Sequence, residues 1–203
     1  MSSRLAGPGG RPYSIERRAQ ITALESAVRQ EVIDTLQAAG ARSATEIARL
    51  MGRPADALYY HIKKLVAVGL LVVDSSRRQG RRPEAVYDLV GRPLSLRYPS
   101  GREAQAHPLP RIVRAMTRTA ERDFRTALGR GTARATGPTR NLWAGRRHAW
   151  LTPRDFGRVN GLIDSLTTIL TQSRDPARGE LCTVTLVMAP RPSQSGRRSR
   201  SST

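Results

Sequence analysis

The stretch that most limits the folds open to this chain is residues 43–70, SATEIARLMGRPADALYYHIKKLVAVGL, where two short helical patterns meet at the tight turn Met51-Gly52-Arg53-Pro54. Ser43 and Glu46 make the S-x-x-E capping box of the first helix, whose Ile47, Leu50 and Met51 are expected to face inward, and Gly52 permits the turn. The second helix is expected to start near Pro54. At 100° per residue, its Leu58, Ile62, Leu65 and Gly69 fall on one side, while Asp56, Tyr60, Lys63, Lys64 and Ala67 point away. Upstream, Ile21, Leu24, Val28, Val32 and Leu36 recur at spacings of three and four, which predicts one scaffold helix stopping before Gly40. Downstream, Leu70-Leu71-Val72-Val73 is an apolar run and Glu84 to Leu89 alternates, which predicts two paired strands around SSRRQGRRP. Arg77, Arg78, Arg81 and Arg82 sit at the tip of that hairpin.

A helix, a helix-turn-helix and a basic hairpin, in that order, are the parts with which a winged helix-turn-helix offers one helix to the major groove and a loop to the neighbouring backbone. Composition agrees, because 35 Lys+Arg against 16 Asp+Glu leave a formal charge of +19 on 203 residues. Such a field favours a polyanion as partner. Lys63 and Lys64 are the only lysines, and arginine forks onto phosphate or guanine where lysine offers a point charge; a compositional bias toward arginine is the competing source outside the motif. Positions early in a recognition helix reach base edges, so Ala55, Asp56, Ala57, Tyr59 and Tyr60 are the candidates for direct readout, with Lys63 and Lys64 placed for phosphate. Asp56 would accept from a cytosine amino group and Ala57 would touch a thymine methyl. The alternative roles are stabilisation of the helix N-terminus by Asp56 and cover of apolar surface by the tyrosines. Like charges at Arg77, Arg78, Arg81 and Arg82 repel one another, and a duplex backbone would relieve that repulsion.

With these parts in place, Ala57 to Leu71 (ALYYHIKKLVAVGLL), preceded by TEIARLMG and followed by the arginine-rich hairpin, resemble the ArsR-type winged-helix regulators, named for arsenical-resistance repressors. The resemblance spans about residues 20 to 95. It implies a dimeric transcription factor, commonly a repressor, acting on an imperfect palindrome. Metal-sensing members place paired cysteines where this chain has Ser43 and Thr45, so the resemblance is to the branch without thiolate metal sites. Pro54 stands where many relatives have a polar helix cap.

The expected fold class is mainly α with a small β component: a winged helix-turn-helix domain plus a C-terminal helical dimerisation region ending in a short strand. The expected segments are a disordered basic tail (1–19), the DNA-binding domain (20–98), a helical dimerisation and effector region (104–190) and a disordered Ser/Arg tail (191–203), with the Pro/Gly-rich 91–110 as linker. In the second region, Leu109, Ile112, Val113, Met116, Ala120, Phe124 and Leu128 mark one helix, with Arg111, Arg114, Arg118, Arg122 and Arg125 opposite. Phe156, Val159, Ile163, Leu166 and Leu170 recur at three-four-three-four spacing, a seam suited to a partner helix. Thr152 and Asp155 would cap that helix. The seam would pack within one chain or between two, and a reader of symmetric DNA favours two. Phe124, Trp143, Trp150 and Phe156 are read as core and interface packing, or as an effector pocket. Leu181 to Met188 reads as a last strand that completes a small sheet or crosses to a partner subunit, with Cys182 in it as a small buried hydrophobe.

Other classes fare poorly. A phosphate loop, a G-x-S-x-G elbow and a metal-ligand spacing are all missing from the sequence, so neither an enzyme nor a cofactor or metal is expected. His61, His107 and His148 stand apart, and His61 is expected to be a hydrogen-bonded structural residue. One cysteine excludes an intramolecular disulfide, and no apolar run approaches the roughly 20 residues that span a bilayer. With glycines and prolines in MSSRLAGPGGRPYS, the expected location is cytoplasmic, at the nucleoid. The expected partners are double-stranded DNA and a second copy of the chain, with an unidentified small-molecule effector left open. An architectural chromatin protein and an RNA-binding winged helix are the alternatives.

Overall fold

The computed structural model describes residues 10–79, 82–99, 107–173 and 178–191, and for 76–79 and 82–83 it describes the backbone alone. Arg81 and the residues of both tails, 1–9 and 192–203, therefore lie outside the described residues. About half of the described residues are helical, with a small β component.

The predicted scaffold helix is two helices, α1 (Arg18–Ala23) and α2 (Ala27–Ala39). Leu24 ends the first and Ser26, in extended conformation, starts the second. The carbonyls freed at the break are taken up from α2: Arg29 Nε donates to Ala23 O, and Gln30 Nε2 donates to Leu24 O at 2.6 Å. Apolar spacing hides this break because Ile21, Leu24, Val32 and Leu36 all reach the same core on either side of it.

α3 (Ala44–Met51) and α4 (Asp56–Ala67) follow. The capping box is formed, with Glu46 N donating to Ser43 Oγ at 3.3 Å and Ser43 N donating to Glu46 Oε2 at 2.8 Å. Gly52 ends α3 at φ 62°, ψ 35°, a left-handed conformation that favours glycine. Ala44, Ile47 and Ala48 are the buried residues of α3; Met51 packs at the core edge, and Leu50, expected inside, is 42% exposed because it lies off the stripe those residues define. Regular helix in α4 begins at Asp56, two residues later than expected, after a turn in which Pro54 O accepts from Ala57 N at 3.2 Å.

The predicted hairpin is present and longer than expected. β3 (Leu71–Gln79) pairs antiparallel with β4 (Arg82–Leu89), and β2 (Arg42–Ser43) adds to the other edge of β4, giving the order β2-β4-β3. The backbone at Arg77, Arg78 and Arg82 is strand rather than loop. A register shift between Val73 and Ser75 leaves Asp74 as a bulge, which sharpens the local twist.

Two expected boundaries change. Residues 13–15, assigned to the N-terminal tail, form β1 (Tyr13–Ile15), paired in parallel with β5 (Leu94–Leu96), which falls inside the expected linker. The crossing is tight at Gly91, where a Cβ would lie 2.8 Å from that of Tyr13. Glycine there lets Arg92 N reach Arg11 O at 2.8 Å and Tyr13 N reach Pro93 O at 3.0 Å. Ile15 enters the core, which centres on Val32, Leu36, Ile47, Leu58, Ile62, Leu65, Leu70 and Leu89, all fully buried. Each such side chain contributes about 1.5–3 kcal/mol over an exposed one.

α5 (Leu109–Gly129) packs its first half on α2, with Ile112 joining the same core and Gln30 Nε2 donating to Ile112 O at 3.1 Å. Arg122, expected on the outward face, instead reaches Glu31 of α2 at 3.0 Å. α6 (Pro153–Gln172) carries the predicted Thr152–Asp155 capping box. None of its residues is buried, and Phe156 and Leu170 are each 43% exposed. The expected last strand is not formed: residues 179–191 hold no helix or strand, and Cys182, expected inside, is exposed. Among the described residues no strand lies beside this segment to pair with its backbone. Trp143 and Trp150 are also exposed, at 67% and 90%, while Phe124 is half-buried, so among the described residues the two tryptophans are not part of a core.

Candidate nucleic-acid interface

The two faces of α4 separate cleanly. Leu58, Ile62 and Leu65 are fully buried, whereas Asp56, Ala57, Tyr59, Tyr60, Lys63, Lys64 and Ala67 are exposed. Tyr60 is 61% exposed and Tyr59 41%. Lys64 Nζ stands 5.6 Å from the centroid of the Tyr60 ring, and the His61 ring meets Tyr60 edge-on at 5.4 Å. Ala55 differs from the rest of the expected set: it precedes the helix and packs half-buried against the core.

Two sets of polar contacts fix this helix, and a third fixes the hairpin beside it. At its start, Arg53 in the turn donates to Glu31 Oε2 of α2 at 2.9 Å. At its end, the carbonyl of Val68 accepts from Gln20 Nε2 at 3.1 Å and from Arg17 Nη2 at 2.9 Å, so α1 satisfies acceptors that the helix terminus leaves open. Gln20 is fully buried and its amide also donates to the Tyr13 hydroxyl at 2.9 Å. The hairpin is held to α3 by Thr45 N donating to Glu84 Oε1 at 3.3 Å, and to α2 through Arg92, whose Nη2 donates to Leu36 O at 2.9 Å.

Sequence reasoning missed Gln20, Arg17, Glu31, Asp88 and Arg92. Gln20 carried one faint signal, a polar residue adjoining the apolar stripe begun by Ile21. His61 departs from expectation too, since its Nδ1 is buried and has no hydrogen-bond partner among the described residues. Burial, and then the neighbouring guanidinium groups of Arg29 and Arg53, hold its pKa below the ordinary imidazole value.

These two short helices, crossed at a left-handed glycine with one polar face outward, agree with a comparison against protein families. Residues 24–74 match the helix-turn-helix domain family. The match runs from the end of α1 through α2, α3 and α4 into β3, so it contains the whole helix-turn-helix and the first strand of the hairpin. No curated protein matches the chain. Of the two helices joined at Gly52 within the matched segment, α4 is the second. Among the described residues no group of three or more His, Cys, Asp or Glu is placed to hold a metal, and no described helix is long and apolar enough to cross a membrane.

Proposed function

We propose that the chain is a sequence-specific, double-stranded-DNA-binding transcriptional regulator of the ArsR-like winged-helix type, a repressor acting as a homodimer on an imperfect palindrome. The observation that carries this reading is the outward face of α4, where Asp56, Ala57, Tyr59, Tyr60, Lys63 and Lys64 are all exposed on a helix whose opposite face is locked into the core. Asp56, Ala57, Tyr59 and Tyr60 read base edges, with Ala55 behind them setting the approach, and Lys63 and Lys64 hold phosphates. β3 and β4 act as the wing, whose Arg77, Arg78, Arg81 and Arg82 grip the adjacent backbone. The segments divide as a basic tail, a DNA-binding domain, a dimerisation and effector region and a Ser/Arg tail. Phe156, Val159, Ile163, Leu166 and Leu170 form the dimer seam, and a small-molecule effector of unknown identity acts through the same region. The protein works in the cytoplasm, at the nucleoid, without catalysis.

The formal charge of +19 supports a polyanionic partner but does not choose among polyanions, and a competition experiment does. Labelled duplex DNA bound by the full chain is challenged with unlabelled duplex, single-stranded DNA and structured RNA at equal nucleotide concentration. The regulator reading predicts that duplex competes best. Preferential competition by single strands or RNA contradicts it.

A further inference from the structure

Residues 141–150 and 180–191 contain no helix or strand and flank α6 in sequence. Their ends are tied together. Glu180 accepts from Arg134 Nη2 at 2.8 Å and from Asn141 Nδ2 at 2.7 Å, and Arg191 Nη1 lies 3.1 Å from His148 Nε2. Asn141 therefore stands beside Glu180 and His148 beside Arg191, so the two segments run in the same direction. Segment, helix, parallel segment is the order of a β-α-β crossover. The ladder is missing: among the described residues no backbone hydrogen bond joins the two segments.

Apolar side chains are left uncovered throughout this unit. Trp143, Trp150, Leu181, Leu186, Val187 and Met188 are each at least half exposed, and no residue of α6 is buried. Residues 181–188 also carry no charge, on a chain of net +19. A phosphate backbone would find nothing along 181–188 to pair with, so this segment takes a protein rather than nucleic acid. Two strands alone are marginal in water; three or more with an apolar face are needed. A second copy of the same unit supplies two further strands and a second helix seam, and the match is self-complementary, as a twofold interface requires.

We propose that segments 141–150 and 180–191, with α6 between them, form a β-α-β unit whose sheet is completed by the same two segments of a second copy of this chain. The proposal rests on the homodimer reading and adds where the second subunit binds: backbone pairing of 180–191 together with the α6 seam.

The test is amide hydrogen exchange on the full chain at two concentrations, one above and one below the dimer dissociation constant found by sedimentation. In the dimer, amides of 181–188 are expected to exchange roughly tenfold or more slowly than in free peptide, and to lose that protection on dilution. Val187→Lys and Ile163→Lys are both expected to shift the chain to monomer, with amide protection of Leu58 to Leu65 retained as the sign that each variant is folded. A dimer whose 181–188 amides exchange like free peptide, and which Val187→Lys leaves intact, overturns the shared sheet and keeps the homodimer. A chain that is monomeric at every concentration overturns the homodimer and the sheet with it.

Discussion

Arg92 and Asp88 form a two-point ion pair enclosed between the hairpin and the end of α2. Arg92 Nη1 donates to Asp88 Oδ2 at 2.9 Å, Nη2 reaches Asp88 Oδ1 and also Leu36 O, and each side chain is only 11% exposed. Asp88 Oδ1 accepts from Leu89 N as well, at 2.8 Å. Such a pair contributes little over an apolar replacement, but removing one partner strands a buried charge. Arg92→Met is predicted to destabilise the fold by about 3–5 kcal/mol, read as a lowered urea midpoint with an unchanged slope. A shift within about 0.5 kcal/mol, the range of an ordinary surface substitution, contradicts this.

Gln20 does comparable service at the other end of α4. Its amide meets Val68 O, Gly69 O and the Tyr13 hydroxyl from a fully buried position. Gln20→Leu keeps the volume and removes the donors, leaving Arg17 as the remaining donor to Val68 O. The expected cost is about 1–3 kcal/mol. Because β1 is held through Tyr13, amides of residues 13–15 should also exchange faster in this variant.

His61 predicts a pH dependence. Its pKa in the fold is lowered, by burial first and by Arg29 and Arg53 after it. The unfolded chain therefore binds its proton more readily than the folded one, and stability rises with pH across that interval. The contribution of the neutral ring is fully present above about 6.5, the unfolded imidazole value, and is lost as pH falls toward the lowered folded value. Urea midpoints at pH 7.5 and 5.5 should differ more for the natural chain than for His61→Gln. Equal differences would remove His61 from the account.

Tyr60 and Lys63 share an exposed face but should fail differently. Tyr60→Ala is predicted to relax sequence preference at the contacted base pair, while Lys63→Ala weakens all duplexes alike and lowers the salt slope by about one. Binding isotherms over a range of salt, on a preferred and a scrambled duplex, separate the two. Identical behaviour of both variants contradicts the division into base and phosphate contacts.

The helix-turn-helix was legible because its signals are local. Ser43 and Glu46 cap α3 within one turn, Gly52 supplies the left-handed residue, and the spacing of Leu58, Ile62 and Leu65 names the buried face of α4. What escaped depends on residues far apart in sequence. Tyr13 to Ile15 become a strand only because Leu94 to Leu96 lie beside them, and Gln20 holds the end of α4 only because Val68 lies within its reach. The break at Leu24 to Ser26 escaped for a different reason: both helices turn their apolar residues to one core, so the spacing runs through it unchanged. Leu181 to Met188 have the composition of a strand but no partner strand within the described chain.

The central claim is that α4 reads a defined duplex sequence on behalf of a twofold dimer. The most direct measurement is selection of fragments of the host genome by the full chain at moderate salt with excess competitor DNA, since specific binding exceeds non-specific by roughly three or more orders of magnitude. The account predicts recovery of an inverted repeat with half-sites about one helical turn apart. Recovery of fragments with no shared sequence would contradict it and make the chain a coat for nucleic acid rather than a reader of it.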